Sequence, residues 1–331
     1  AMYWALLVGI ASSVVRSPVG ARCGCAAAPV RCAARMLPIP TAAELQALLD
    51  GPARAPSGKV RKALAKPQGV LTIIGGYSPA WEAISFAKGE MNARELDNVE
   101  YVGRQFRLGG AIAVAPVMAS GELAGGVAGG GAGCSVAQLR QLVEEQQRAK
   151  GDFPGPCPIL LDGPLSSPHH LAQAAAAGCA GVCLDADALG PGAAAELYGV
   201  AQHLGLEVIA YAAPSAESIA AASALSSGVG IVCVRTVESR DATQAVGAFP
   251  PGVIRLASCT VADVREAWSL RDAGYNGLLL ANCLLMQATI ERVEVQTVLK
   301  AIRAKGSARY GKGSSLGRGE GAKEILGTIA I

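Results

Sequence analysis

Aromatic side chains are scarce in this 331-residue chain, only 4% of it. That argues against an aromatic-lined binding surface and for closely packed helices with small side chains. Histidine is scarcer still: His169, His170 and His203 are too few and too dispersed to make a zinc site. Of the cysteines, Cys23, Cys25 and Cys32 lie near the start. Cys134, Cys157, Cys179, Cys183, Cys233, Cys259 and Cys283 are scattered, and none forms a C-x-x-C pair. They read as buried thiols in a reducing compartment rather than as a disulfide framework. No metal and no cofactor is expected. Charged residues are sparse as well, at 17%, with a formal net charge of +3. Arg16, Arg22, Arg31 and Arg35 all precede the first acid, Glu44, and account for the positive excess. A general basic face is therefore missing, which excludes nucleic acid as an expected partner.

Acids are absent from residues 1–36, which hold those four arginines with many alanines and several serines. This is the composition of an organelle transit peptide. The apolar run Trp4–Val15 falls short of the ~20 residues that span a bilayer, so no membrane span is expected. Val30-Arg31-Cys32-Ala33-Ala34 resembles a plastid processing site, which favours the chloroplast stroma, with the mitochondrion second. Residues 37–56 read as a linker. At the other end, 306–331 reads as a basic, Gly/Ser-rich tail, with runs such as Gly311-Lys312-Gly313-Ser314-Ser315. Those glycines lack the preceding strand and fixed lysine of a phosphate loop.

What is abundant is hydrophobic sequence, 51% of the chain, and it is rhythmically placed. Eight short apolar segments recur: Val70–Ile74, Ala111–Val117, Pro158–Leu161, Gly181–Leu184, Leu206–Ala210, Gly230–Val234, Val253–Leu256 and Gly277–Leu280. Continuous runs of this kind suit parallel strands buried on both faces. Helical periodicity fills the intervals. Ser135–Lys150 places Leu139, Leu142 and Val143 on one face, and Ser167–Ala177 opens on Ser-Pro and closes at Gly178. Pro214–Leu225 and Thr260–Ala273 repeat the scheme. Strand and helix alternating eight times predict an α/β chain with a single (β/α)₈ TIM barrel over 57–305, preceded by an N-terminal extension. An open doubly wound sheet would carry a glycine fingerprint after the first strand, and Gly75-Gly76-Tyr77-Ser78-Pro79 is not one. Gly121–Gly133 breaks the rhythm and reads as a low-complexity insertion.

The order of several short motifs resembles the indole-3-glycerol-phosphate synthase family. They are Lys62-Ala63-Leu64-Ala65-Lys66-Pro67, Ser78-Pro79-Ala80 and the stretch Pro158–Pro168. Leu204-Gly205-Leu206-Glu207-Val208 and the run from Asp263 to Gly274 continue in sequence. The resemblance implies the barrel and a decarboxylating ring closure in tryptophan biosynthesis. It also implies catalytic positions, and these are changed. The family's first-strand lysine and glutamate correspond to Gly75 and Ile73. Its third-strand lysine corresponds to Asp162, its fifth-strand glutamate to Tyr211 and its sixth-strand asparagine to Arg235. Its seventh-strand Glu-Ser-Gly reads Ala257-Ser258-Cys259, and its eighth-strand Gly-Glu reads Ala281-Asn282. Only Ser78 and Ser258 are kept. Cys259 and Ala281 put a Cβ where backbone N–H groups would seat a phosphate.

The mouth nevertheless stays polar. Ser78, Asp162, Tyr211, Arg235, Ser258 and Asn282 form the candidate pocket, with Asp185, Asp187 and Glu238 at or just beyond strand ends. Arg235 is expected to pair with Asp162, because a buried charge left alone costs roughly 3–5 kcal/mol. The resulting expectation is a non-catalytic binding or scaffold protein whose ligand is an anionic small molecule. An active synthase with relocated groups and a barrel with a new small-molecule activity are the alternatives.

Overall fold

The computed structural model describes residues 40–65, 71–79, 93–119, 123, 133–226 and 230–304. The leader 1–36, the tail 306–331 and all of the glycine-rich segment except Leu123 and Gly133 lie outside them. In chain order the elements are α1 (Ala42–Leu49), α2 (Lys59–Leu64), β1 (Thr72–Tyr77), α3 (Ala93–Leu96), α4 (Val99–Leu108), β2 (Ala113–Pro116), α5 (Val136–Arg148), β3 (Leu160–Leu161), α6 (Pro168–Ala177), β4 (Gly181–Asp185), α7 (Ala186–Leu189), α8 (Pro191–His203), β5 (Glu207–Ala212), α9 (Ala216–Ala224), β6 (Ile231–Glu238), α10 (Ser239–Ala245), β7 (Ile254–Thr260), α11 (Val264–Ala273), β8 (Gly277–Leu280), α12 (Asn282–Ile290) and α13 (Val295–Arg303).

Eight strands form one sheet in the order β2-β1-β8-β7-β6-β5-β4-β3, and every strand pairing is parallel. The parallel bridges Val114 to Ile159 and Val117 to Asp162 join β2 to β3 and complete the ring. This is a (β/α)₈ barrel, as the strand count predicts. Most strands run further toward their C-terminal ends than the apolar segments suggest. β6, for example, continues to Glu238 and β7 to Thr260. Hydrophobicity fades there because the strands emerge at a polar mouth, while their backbone pairing continues.

Side-chain alternation divides each strand between axis and helix layer. The interior holds Ile74, Ala113, Ala115, Leu160, Cys183, Ile209, Tyr211, Ile231, Cys233, Ile254, Leu256 and Leu279. Burying each of the larger aliphatic side chains contributes roughly 1.5–3 kcal/mol. The alternate set, including Ile73, Leu161, Leu184, Val232, Ala257 and Leu280, packs outward under the helices. Helix ends follow local chemistry. Ser135 caps α5 in a reciprocal box with Gln138, and Ser167 caps α6 ahead of Pro168. Gly178 ends α6 at φ 89°, a conformation that favours glycine.

The segment read as a linker is corrected in part, because it contains α1. Thr41 and Glu44 form a capping box there, and the buried Leu45 joins the outer core. α2 closes the N-terminal end of the barrel. Its Val60 and Leu64 are fully buried among the interior strand residues. Glu207, at the start of β5, accepts from Val60 N at 3.1 Å, Arg61 N at 2.8 Å and Ser57 Oγ at 3.0 Å. The carboxylate thus meets the first N–H groups of α2, where negative charge is favoured. Among the described residues no helix is long and apolar enough to cross a membrane.

Candidate ligand site at the barrel mouth

Continuing the alternation one step beyond the packed interior gives the residues that face the mouth. They are Ser78 after β1, Val117 after β2, Asp162 after β3, Asp185 on β4, Tyr211 on β5, Arg235 on β6, Ser258 on β7 and Ala281 after β8. Tyr211 and Asp162 are buried, and the Tyr211 hydroxyl donates to Asp162 Oδ2 at 2.9 Å. The Arg235 guanidinium lies 4.6 Å from the centre of the Tyr211 ring. Arg235 Nη2 forms an ion pair with Asp185 Oδ2. Asp185 also caps α7, its Oδ1 accepting from Ala188 N at 3.0 Å. Asp187 accepts from Ala213 N at 2.8 Å and from the Ser218 hydroxyl, so it ties α7 to the loop after β5 and to α9.

The expected Arg235–Asp162 pair is therefore corrected. Asp185 takes the arginine, and Tyr211 stands between the arginine and Asp162. The reason is register. Asp185 pairs with Tyr211 across β4 and β5, and Arg235 lies two strands from Asp185 on the same interior-facing layer. A long arginine side chain reaches over the tyrosine ring to the half-exposed carboxylate. Burial raises the Asp162 carboxyl above the ordinary carboxylate range, against the lowering pull of the Tyr211 hydroxyl and then of Arg235. Burial also raises the Tyr211 phenol well above its ordinary value, with Asp162 adding to the shift. Together they form a low-polarity floor beneath a charged pair that is open to solvent.

The remaining candidates take different places. Ser78 is 5% exposed and lies at the end of β1. Ser258 is opposite Arg235 in the β6–β7 register. Asn282 opens α12, but its side chain lies outside the described residues. Gly75 and Ile73, matched above to a catalytic lysine and glutamate, both face away from the axis. Ile73 packs in the outer core, and a Cβ on Gly75 would sit 2.5 Å from the Phe106 ring. The axis-facing residues of β1 are Ile74 and Gly76, followed by Ser78 at the mouth, so shifting the match by one residue restores no ionisable group. Cys259 likewise packs outward, so its Cβ is not at the mouth. The sequence reading left out of the mouth Cys283, which lies on α12 directly after β8 and whose thiol is raised by burial. Nothing in the spacing of the cysteines signalled it. Among the described residues no group of three metal-ligating side chains could hold an ion.

No protein-family model matches the chain, and no curated protein matches it. Solved structures do. Ligand-free tryptophan synthase from M. tuberculosis is similar with a TM-score of 0.51 at 14% identity, over 78% of this chain and 97% of that one. The aminoacrylate-bound form of tryptophan synthase from M. tuberculosis gives 0.51 at 14% identity, over 74% and 98%. A mutant tryptophan synthase alpha-subunit from Pyrococcus furiosus gives 0.48 at 16% identity, over 71% and 96%. At such identities the likeness is one of fold: the chain shares the (β/α)₈ barrel with tryptophan synthase.

Proposed function

We propose that this chain is a diverged barrel of the indole-3-glycerol-phosphate synthase type that does not catalyse ring closure. It acts instead as a binding or scaffold protein in an organelle, and it holds a small anionic molecule at its mouth. One observation carries this reading: among the described residues, no mouth-facing strand end bears a lysine. The described lysines are Lys59 and Lys62 on α2 at the opposite end, Lys150 after α5 and Lys300 on α13. Ring closure with loss of carbon dioxide and water needs an acid at the substrate carbonyl and a second group for the later proton transfers. Each such group contributes ~10²–10⁴-fold. Asp162 and Tyr211 are hydrogen-bonded to each other, and Arg235 is held by Asp185. An arginine stays protonated near neutrality, so it can attract an anion but makes a poor proton donor.

The test is a steady-state assay for indoleglycerol phosphate formed from carboxyphenylamino-deoxyribulose phosphate. No turnover above background is expected. Turnover near the ~10 s⁻¹ typical of enzymes, abolished by Asp162→Ala or by Arg235→Ala, would show an active site with relocated groups. The organelle assignment rests on the acid-free composition of residues 1–36. N-terminal sequencing of the protein from its native cells is expected to find that segment removed, with the chloroplast stroma as destination.

A further inference from the structure

A cavity of about 580 Å³ lies away from the mouth, between α4, α5 and the loop that follows α5. Tyr101, Arg104 and Leu108 line it from α4, and Arg148 and Ala149 from the end of α5. At its rim, in the loop before β3, stands Phe153, which is 99% exposed. That exposure is not the slack of a loose loop. Arg107, with only 6% of its side chain exposed, holds the chain on both sides of the ring. Its Nη1 donates to Pro154 O at 2.8 Å and lies 3.6 Å from Asp152 Oδ2. Its Nη2 donates to the buried Glu145 at 3.2 Å. Asp152 N donates to Ala149 O at 3.1 Å, and Cys157 N to the buried Gln146 Oε1 at 2.7 Å. A buried ion pair therefore fixes a loop whose tip presents one aromatic ring to water. A ring left in water contributes nothing to folding. Because its position is already fixed, ordering it against a partner costs little.

The same surface thus carries a knob and a hole. A cavity of about 150 Å³ already holds a benzene ring, so this one has room for a phenylalanine side chain. Its walls suit one. Leu108, Ala149 and the arginine stems are apolar. The exposed Arg104 guanidinium has no hydrogen-bond or ion-pair partner among the described residues, so it can lie over an aromatic face. Charge favours a second copy of the chain over a partner of one sign. Arg104, Arg107 and Arg148 are balanced in the lining by Glu100, Glu145 and Asp152. Arg148 pairs with Glu100 at 2.7 Å on the exposed rim. A two-fold contact sets a patch against itself. A patch of one sign would repel its copy, whereas a mixed one meets opposite charges. A second cavity of about 230 Å³ lies on the other side of Tyr101, with Glu95, Arg292 and Glu294 in its lining. The mixed surface therefore continues along α4 and is not confined to one side chain.

We propose that this face is a two-fold interface between two copies of the chain, in which Phe153 of each copy enters the α4–α5 cavity of the other. The arrangement goes beyond the function proposed above and does not depend on it. Sedimentation velocity on the full chain over a hundredfold range of concentration tests it, with circular dichroism to verify the fold of each variant. A monomer–dimer equilibrium that shifts with concentration is expected. Phe153→Ala removes two buried rings per dimer and should weaken association at least a hundredfold. The ring is exposed in the single chain, so the circular dichroism spectrum of this variant should be unchanged. Arg104→Glu, in the wall of the cavity, should weaken association at least tenfold, and more than Arg104→Lys does. Mixing Phe153→Ala with Arg104→Glu separates this geometry from a contact of ring on ring. One copy then keeps its ring and the other its cavity, so one intact seat remains. Mixed dimers should therefore form more readily than the dimers of either variant alone. A chain that stays monomeric at every concentration would overturn the proposal, as would a dimer indifferent to Phe153→Ala. Mixed variants that associate no better than each alone would overturn it too. Open-ended assemblies in place of a dimer would rule out the two-fold contact.

Discussion

The Tyr211 hydroxyl donates to the Asp162 carboxylate at 2.9 Å, from β5 to the end of β3 past the intervening strand. Both side chains are buried, and Arg235 lies over the tyrosine ring. The pair joins the floor of the mouth to its charged rim. Tyr211→Phe should cost about 1–3 kcal/mol, because it leaves a buried carboxyl group without its donor. Asp162→Leu with Tyr211→Phe should cost less than the sum of the single changes. A double-mutant cycle by chemical denaturation measures the coupling, and strict additivity would show that the bond contributes nothing.

The raised Asp162 carboxyl has a signed consequence for pH dependence. Between the ordinary carboxylate value and the raised folded value, the native state holds a proton that the unfolded chain has released. Stability contributed by this group therefore falls as pH rises through that window. Asp162→Asn removes the titration. The stability of the native chain relative to Asp162→Asn should decline from acid toward neutral pH, as read from urea midpoints at several pH values. A difference that grows with pH would mean that the folded value is depressed instead.

Gly75 faces Phe106, with room for no Cβ at 2.5 Å. Gly75→Ala should destabilise by about 1–3 kcal/mol through overpacking. Gly75→Lys, which restores the family's residue type at the matched position, should destabilise further and yield no ring-closure activity. Phe106→Leu should relieve part of the alanine penalty. Thermal denaturation of the three variants checks this, and an undiminished Tm for Gly75→Ala would contradict the inward and outward assignment of β1.

Glu207 holds α2 against the N-terminal end of the barrel through three acceptor contacts. Glu207→Ala leaves backbone donors of α2 without partners and should cost about 2–4 kcal/mol, at about 1–3 kcal/mol for each unsatisfied buried group. Glu207→Gln keeps an acceptor oxygen and should cost less. Limited proteolysis should show earlier cleavage before residue 65 in the alanine variant. Equal protection in both variants would assign the anchoring of α2 to Val60 and Leu64 alone.

The fold was legible in the sequence because a barrel strand is buried on both faces, so each appears as a short apolar run between helical periods. Helix starts at Ser135 and Ser167 and the stop at Gly178 were legible too, since capping depends on neighbours a few residues apart. The position of Asp162, Tyr211 and Arg235 at strand ends was also legible, since apolar runs give way to them there. Pairing within that set was decided by tertiary structure. Whether Arg235 meets Asp162 or Asp185 depends on the register of β4, β5 and β6 around a closed ring, which no local pattern encodes. The same holds for Gly75, whose outward direction follows from strand parity against Phe106. Periodicity and capping are set by contacts within one segment. Partner choice at the mouth is set by which segments closure of the barrel brings side by side.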